Sequence, residues 1–163
     1  ERSRPDLNPL FTFAVTGYNM RNQELNAVLG LEQLKRLNYN CDKRRDNFKT
    51  WVDSLNSDKF FVDFHQNGNS NFALPLVLKE KDLELFEKCC ILLEEQNVEY
   101  RVGTAGGGNQ ARQPYLDKYN FIAHDLSNVD HIHDFGLYIG NHPELVDKDI
   151  VNLCKELNNL WLI

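Results

Sequence analysis

The stretch Asn22-Gln-Glu-Leu-Asn-Ala-Val-Leu-Gly-Leu-Glu-Gln-Leu-Lys-Arg-Leu37 decides how the rest of the chain is read. Leu25, Val28, Leu29, Leu34 and Leu37 recur with helical period, which draws one apolar stripe along a helix and predicts that the stripe lies on a core. Asn22 is the expected N-cap, since its side chain can accept from a free N–H of the first turn, and Glu24 suits the positive end of the dipole. The same spacing continues through Phe48, Trp51, Val52 and Leu55 until Asn56-Ser57 stops it. Residues 22–56 therefore read as one very long connecting helix, or as two helices joined by a kink near Asn38 to Asn40.

Working outward toward the start of the chain, Pro5, Pro9 and the short apolar run Leu10 to Val15 describe an extended lead-in over residues 1–21. Toward the end, Asn67-Gly68-Asn69 is a turn, and Phe72 to Leu78 is almost wholly apolar, as in a strand covered on both faces. Pro75 lacks a ladder donor, so that strand takes an edge position or carries a bulge. Helical spacing returns over Lys81 to Glu95 through Leu83, Phe86, Cys89, Cys90 and Leu93, followed by a strand at Val98 to Val102. Asn128 to Phe135 reads as a helix, Gly136 to Ile139 as a strand, and Leu145 to Leu160 as an amphipathic helix with Ile150, Val151, Cys154 and Leu157 inward. This order predicts an α/β or α+β two-layer domain over residues 57–163, in which helices cover a small, mostly antiparallel sheet.

Composition narrows the function classes. A chain of 163 residues, 42% hydrophobic and 26% charged, has the material for an ordinary globular core. Its 18 Lys and Arg against 24 Asp and Glu leave a net charge of −6, and the longest basic group, Lys43-Arg44-Arg45, is bracketed by Asp42 and Asp46. That argues against nucleic acid as a partner. No apolar run approaches a membrane span, and no leader opens the chain, so a cytoplasmic protein is expected. Cys41, Cys89, Cys90 and Cys154 lack paired metal or disulfide spacing and are expected to be reduced and mostly buried. The first residue is Glu1, and neither an initiator Met nor an apolar first element precedes the lead-in, so the chain is expected to be a piece of something longer.

Four constellations carry chemistry. Gly103-Thr-Ala-Gly-Gly-Gly-Asn109 follows a strand, and its glycines let backbone amides approach a ligand such as a phosphate. It has neither a P-loop ending nor GxGxxG, and the plain alternative is a surface loop. Arg101 before it and Arg112-Gln113-Pro114 after it bring guanidinium groups suited to carboxylate or phosphate. The second constellation is His124, His131 and His133 with Asp125, Asp130 and Asp134. On a helix, His131 and His133 point about 200° apart, so they do not share a metal ion, and capping or solvated roles are expected. Tyr138-Ile-Gly-Asn141-His142-Pro143 places an amide and an imidazole at a strand end, where α/β proteins hold ligands, although His-Pro also makes an ordinary turn. Gly17-Tyr18-Asn19-Met20-Arg21 places a phenol, an amide and a guanidinium ahead of a helix N-terminus, which suits an anion or a sugar, or serves merely as a cap.

With these residues in order, the sequence resembles the carboxy-terminal part of the DegT/DnrJ/EryC1/StrS family of fold-type-I, pyridoxal-phosphate-dependent nucleotide-sugar aminotransferases and their dehydratase relatives. The resemblance lies in Gly17-Tyr-Asn-Met-Arg21 with the helix ending Gly30-Leu-Glu-Gln-Leu34, in Arg101 leading to Gly108-Asn109, in Arg112-Gln113-Pro114-Tyr115, and in Gly136-Leu-Tyr-Ile-Gly-Asn-His142. The last two look most like the sugar 3-dehydratases that make colitose and other dideoxysugars.

The resemblance implies a homodimer in which Asn19 reaches the partner's cofactor phosphate with Tyr18 as its neighbour. It also implies that Arg21, Arg101, Asn109, Arg112 and Gln113 surround a nucleotide-activated sugar, with Asn141 and His142 at the rim. The family's catalytic Lys or His belongs to a large domain preceding this chain, so no catalytic residue is expected here and the chain alone is expected to be inactive. Family breadth favours transamination with glutamate as donor, dehydration at C3 is the alternative, and a stand-alone binding module is a third reading.

Overall fold

The computed structural model describes residues 23–106, 108–112 and 124–160. They divide into two compact units, residues 1–36 and 37–163. The first contains α1 (Glu24–Leu34). The cap position belongs to Gln23 and no side chain caps it, in place of the expected Asn22, which lies outside the described residues. None of α1 is buried: Leu25 is 66% exposed and Val28, Leu29, Leu31 and Leu34 are similarly open. The expectation that this stripe lies on a core is therefore corrected. Periodicity specifies which face of a helix can pack, not that something is there to receive it. The helix gives way at Lys35-Arg36, where the Arg36 N–H bonds Gln33 O at 3.0 Å in a tighter turn, and α2 (Leu37–Ser54) begins at Leu37. Two helices are thus present, broken a few residues before the expected kink.

The second unit is a two-layer α+β domain. β1 (Ala73–Val77), β2 (Tyr100–Val102) and β3 (Gly136–Gly140) form an antiparallel sheet in the order β1-β3-β2. β1 is an edge strand, as Pro75 requires, and the freed Pro75 carbonyl accepts from Trp51 Nε1 at 2.7 Å. α3 (Leu83–Glu95) starts on a true cap, Asp82, whose carboxylate accepts from the Leu85 N–H at 2.9 Å. α4 (Ser127–Phe135) runs directly into β3, and α5 (Asp147–Asn159) closes the described chain.

The core forms where three helical stripes meet one face of the sheet. Phe48, Trp51 and Val52 from α2, Leu85, Cys89 and Leu93 from α3, and Ile150, Cys154 and Leu157 from α5 surround Leu74, Leu76, Leu137 and Ile139. All four cysteines are free, with Cys89 and Cys154 buried and Cys41 and Cys90 half-buried. Val151 is half-buried and does not join the inward set of α5. The alternate residues of the strands form the opposite face, where register aligns Pro75, Tyr138 and Arg101 in one row. Phe72 meets Tyr138 edge-on at 5.6 Å and is 68% exposed. Among the described residues, no helix is long and apolar enough to cross a membrane.

Candidate functional site

The glycine segment leaves β2 as a 3-10 turn, Gly103–Gly106, and returns through a second turn, Gln110–Arg112. Gly103 takes φ +57°, in the left-handed region that glycine adopts without strain. The Gly108 N–H then closes on Gly103 O at 2.8 Å. A Cβ on Gly108 would stand 2.7 Å from both Gly103 O and His133 Nδ1, so the closure has no room for any other residue.

This loop is tied to α4. The Asn109 N–H donates to His133 Nδ1 at 3.0 Å, and Asn109 Nδ2 donates to Asp130 Oδ1 at 2.8 Å. The Arg112 guanidinium spans two carboxylates, with Nε 2.7 Å from Asp130 Oδ1, Nη1 2.6 Å from Asp134 Oδ1 and Nη2 3.0 Å from Asp134 Oδ2. Charge and hydrogen bonding agree in direction. The bond from Asn109, then Arg112, holds Asp130 below the usual carboxylate range. Arg112 does the same for Asp134, and the two carboxylates push the guanidinium further up.

Asn109 and Arg112 are therefore gathered at one place, but Arg112 already has its anions. Arg101 stands apart from them on the other face of the sheet, exposed and paired among the described residues with Glu99 at 2.6 Å. Of the three histidines, His131 turns to Leu78 O at 2.6 Å and His133 to the loop, the divergence that a two-residue step on a helix imposes. Among the described residues there is no cluster of His, Cys, Asp and Glu that could hold a metal ion.

At the other end of β3, Asn141 is buried at 2% exposure and makes four connections. Its Nδ2 donates to Arg44 O at 3.0 Å and Asn71 O at 2.9 Å, its Oδ1 accepts from Asn47 Nδ2 at 3.0 Å, and its N–H donates to Phe72 O at 2.9 Å. Both amide donors are spent on the fold. His142 beside it is exposed, and its Nδ1 accepts from the Glu144 N–H at 3.2 Å while its carbonyl receives Asn47 Nδ2 and the Leu145 N–H. This is the turn that His-Pro also predicts. Tyr18, Asn19, Arg21 and Gln113 lie outside the described residues.

Asp130 and Asp134, for which capping or solvated roles are expected, clasp Arg112 instead, since like charges four apart on a helix repel and call for a bridging cation. Phe72, exposed, and Tyr138, half-buried, form an aromatic pair that alternation along two apolar strands conceals. The open clefts lie elsewhere: one of about 590 Å³ is bounded by Phe61, Phe64, Ile132 and Lys81, and one of about 390 Å³ by Trp51, Val98, Leu153 and Glu156. Of the candidate constellations, His131 lines the first and Gly140 the second, while Arg101, Asn109, Arg112, Asn141 and His142 line neither.

Comparison with known proteins agrees with this architecture. The chain is 30% identical over 159 residues to a GDP-4-keto-6-deoxy-D-mannose 3-dehydratase of Yersinia pseudotuberculosis, covering 94% of this chain and 37% of that protein. It is 28% identical over 145 residues to the lipopolysaccharide biosynthesis protein RfbH of Salmonella typhimurium, covering 86% and 33%. The solved structure of an E. coli GDP-4-keto-6-deoxy-D-mannose-3-dehydratase with bound hydrated PLP shares the fold, with a TM-score of 0.76 at 24% identity over 91% of this chain and 38% of that one. The chain thus spans only about a third of the length of these relatives. Residues 5–158 match one family model, and the chain belongs to the DegT/DnrJ/EryC1/StrS aminotransferase family.

Proposed function

We infer that this chain is the small carboxy-terminal domain, with its lead-in and connecting helices, of a pyridoxal-phosphate-dependent nucleotide-sugar 3-dehydratase acting on a GDP-4-keto-6-deoxy sugar. The observation that carries the reading is the match to the Yersinia 3-dehydratase across 94% of the chain. The same match embraces Gly136-Leu-Tyr-Ile-Gly-Asn-His142, the segment that resembles the dehydratase branch. It reverses the preference for transamination drawn from family breadth.

The chain's own residues fit a supporting part. Among the described residues, Arg112 is engaged by Asp130 and Asp134 and not held open toward a phosphate. The cofactor is accordingly assigned to a preceding large domain, with Asn19 and Tyr18 contributing to the phosphate of a partner subunit. When bound, pyridoxal phosphate would supply the electron sink through which a keto sugar expels its neighbouring hydroxyl, the two electrons needed to replace that oxygen by hydrogen coming from glutamate. On this side, Arg101 offers the nucleotide a guanidinium on an open face, and Phe72 and Tyr138 offer an aromatic edge beside it. The unburied stripe of α1 is the surface that the large domain, or the second subunit, would cover. Four unpaired cysteines suit the cytoplasm, where activated sugars are processed.

The test is the full-length protein, loaded with pyridoxal phosphate and given glutamate and GDP-4-keto-6-deoxy-D-mannose, with products resolved by mass spectrometry. A sugar that has lost its 3-oxygen supports dehydration. An amino sugar establishes the aminotransferase, the reading that the family description favours. Turnover of neither kind defeats both.

A further inference from the structure

We propose that Asp130, His133 and Asp134 are positioning residues: together they latch Asn109 and Arg112 to α4, and this latch presets the glycine loop and the end of β2 for the sugar nucleotide. The proposal rests on the reading of the chain as part of a nucleotide-sugar enzyme and assigns its glycine loop a mechanical basis. In it, Arg112 is a strut, not a ligand-binding guanidinium.

Three observations converge. First, α4 presents three acceptors to the loop within little more than one turn: His133 and Asp134 lie three and four residues after Asp130, hence on one face with it, and every one of them receives a bond from the segment 109–112. Second, the loop's own closures are short in sequence: Gly108 N–H to Gly103 O, Ala111 N–H to Asn109 Oδ1 at 2.8 Å and Arg112 N–H to Asn109 O at 3.3 Å. Asn109 is buried at 4% although its neighbours Gln110 and Arg112 are exposed, so the latch converges on a fixed point within a surface loop. Third, the partners are water-exposed, with Arg112 at 39% and Asp130 and Asp134 near that value. Exposed ion pairs contribute little to global stability, but a planar fork clasped by two carboxylates fixes direction strongly. The arrangement thus has its main effect on geometry.

The geometry reaches the proposed site through Gly103. That residue follows Val102 directly, one step beyond the Arg101 that shares a row with Tyr138 and Pro75. Holding Gly103 against Gly108 and His133 fixes the exit of β2, and with it the direction in which Arg101 is offered.

The test uses the full-length protein with three variants: Asp134→Asn, Asp130→Asn, and the exchange of Arg112→Asp with Asp134→Arg. Hydrogen exchange by mass spectrometry over residues 103–112 reads the latch without any substrate. Each single variant should speed exchange of the amides of Gly108, Asn109 and Arg112 by about tenfold, and the exchanged pair should restore much of the protection. Unchanged exchange in both single variants overturns the latch. Steady-state kinetics with GDP-4-keto-6-deoxy-D-mannose read its purpose: KM should rise about tenfold with kcat nearly kept, because the loop orients ligand and does no chemistry. Faster exchange with an unchanged KM refutes the link to the sugar nucleotide. A wild-type protein that does not turn this substrate over refutes the proposed function, while the exchange data still decide the latch.

Discussion

Asn47 Nδ2 donates to Asn141 Oδ1 at 3.0 Å, joining α2 to the end of β3 across 94 residues of sequence inside the protein. The pair also holds the loop ahead of β1, because Asn141 donates to Asn71 O and to Arg44 O. Three pieces of chain that share no element are fastened by one amide.

Replacing that amide weakens all three attachments. Asn141→Ala takes from Arg44 O, Asn71 O and Asn47 Nδ2 one bond each in a buried setting, so unfolding free energy should fall by about 3 kcal/mol. His142→Ala, one residue on and exposed, should cost under about 0.5 kcal/mol. Urea unfolding of the two variants measures the contrast. Equal losses would mean that the end of β3 is held by something other than Asn141.

Gly108→Ala should disrupt the glycine loop locally. Its Cβ would enter to 2.7 Å from the Gly103 carbonyl, a backbone atom that cannot swing aside. The 103–108 closure should open, with faster exchange of residues 103–112 and little change in the helical core. Gly140→Ala is the control, since nothing stands within 4 Å of a Cβ there. A Gly108→Ala protein whose loop exchanges at the wild-type rate would show the loop to be closed in some other way.

Burial pushes the thiols of Cys89 and Cys154 up to about 12, and both side chains are fully covered. Neither can form thiolate near neutrality, and the thiolate is the reactive form. Native protein treated with iodoacetamide at pH 8 should therefore keep both unmodified, and both should label once guanidinium unfolds the chain. Peptide mass mapping reads the sites directly, and native labelling of Cys154 would contradict its place beneath α2.

How much of this was legible in the sequence divides along physical lines. The helical stripe of α2 was, because the residues that recur every turn are the ones buried against the sheet, whereas in α3 Leu83 is exposed and Leu85 is buried in its stead, and in α5 Val151 stays half-buried beside the inward Ile150, Cys154 and Leu157. Pro75 announced its edge strand, because a missing N–H forbids the centre of a sheet. The stripe of α1 misled, since an apolar face is the same whether its cover lies in these residues or in another part of the protein. The candidate site was half legible. Glycine and arginine at 101–112 marked the loop, but its fixings come from carboxylates 18 and 22 residues further on, a separation that local patterns do not register. Asn141 carried the right chemical type for a ligand group. Long-range pairing turned it into a strut instead.

The carboxylates of the latch should titrate according to who holds them. Both lie below the usual carboxylate value of 3.8, Asp130 chiefly through Asn109 and Asp134 chiefly through Arg112. A depressed carboxylate stabilises the folded loop at every pH above its unfolded value. That contribution fades as acid carries the solution down through the lowered value, so loop protection should be constant from neutrality to about pH 4 and decline below it. The residue-specific part is sharper. Arg112→Gln should raise the titration midpoint of Asp134 more than that of Asp130, whereas Asn109→Ala should do the reverse. Carbon-detected NMR of the aspartate carboxyl groups resolves the two. If Arg112→Gln moves neither midpoint, the guanidinium is not clasped in solution, and the loop owes its shape to its glycines alone.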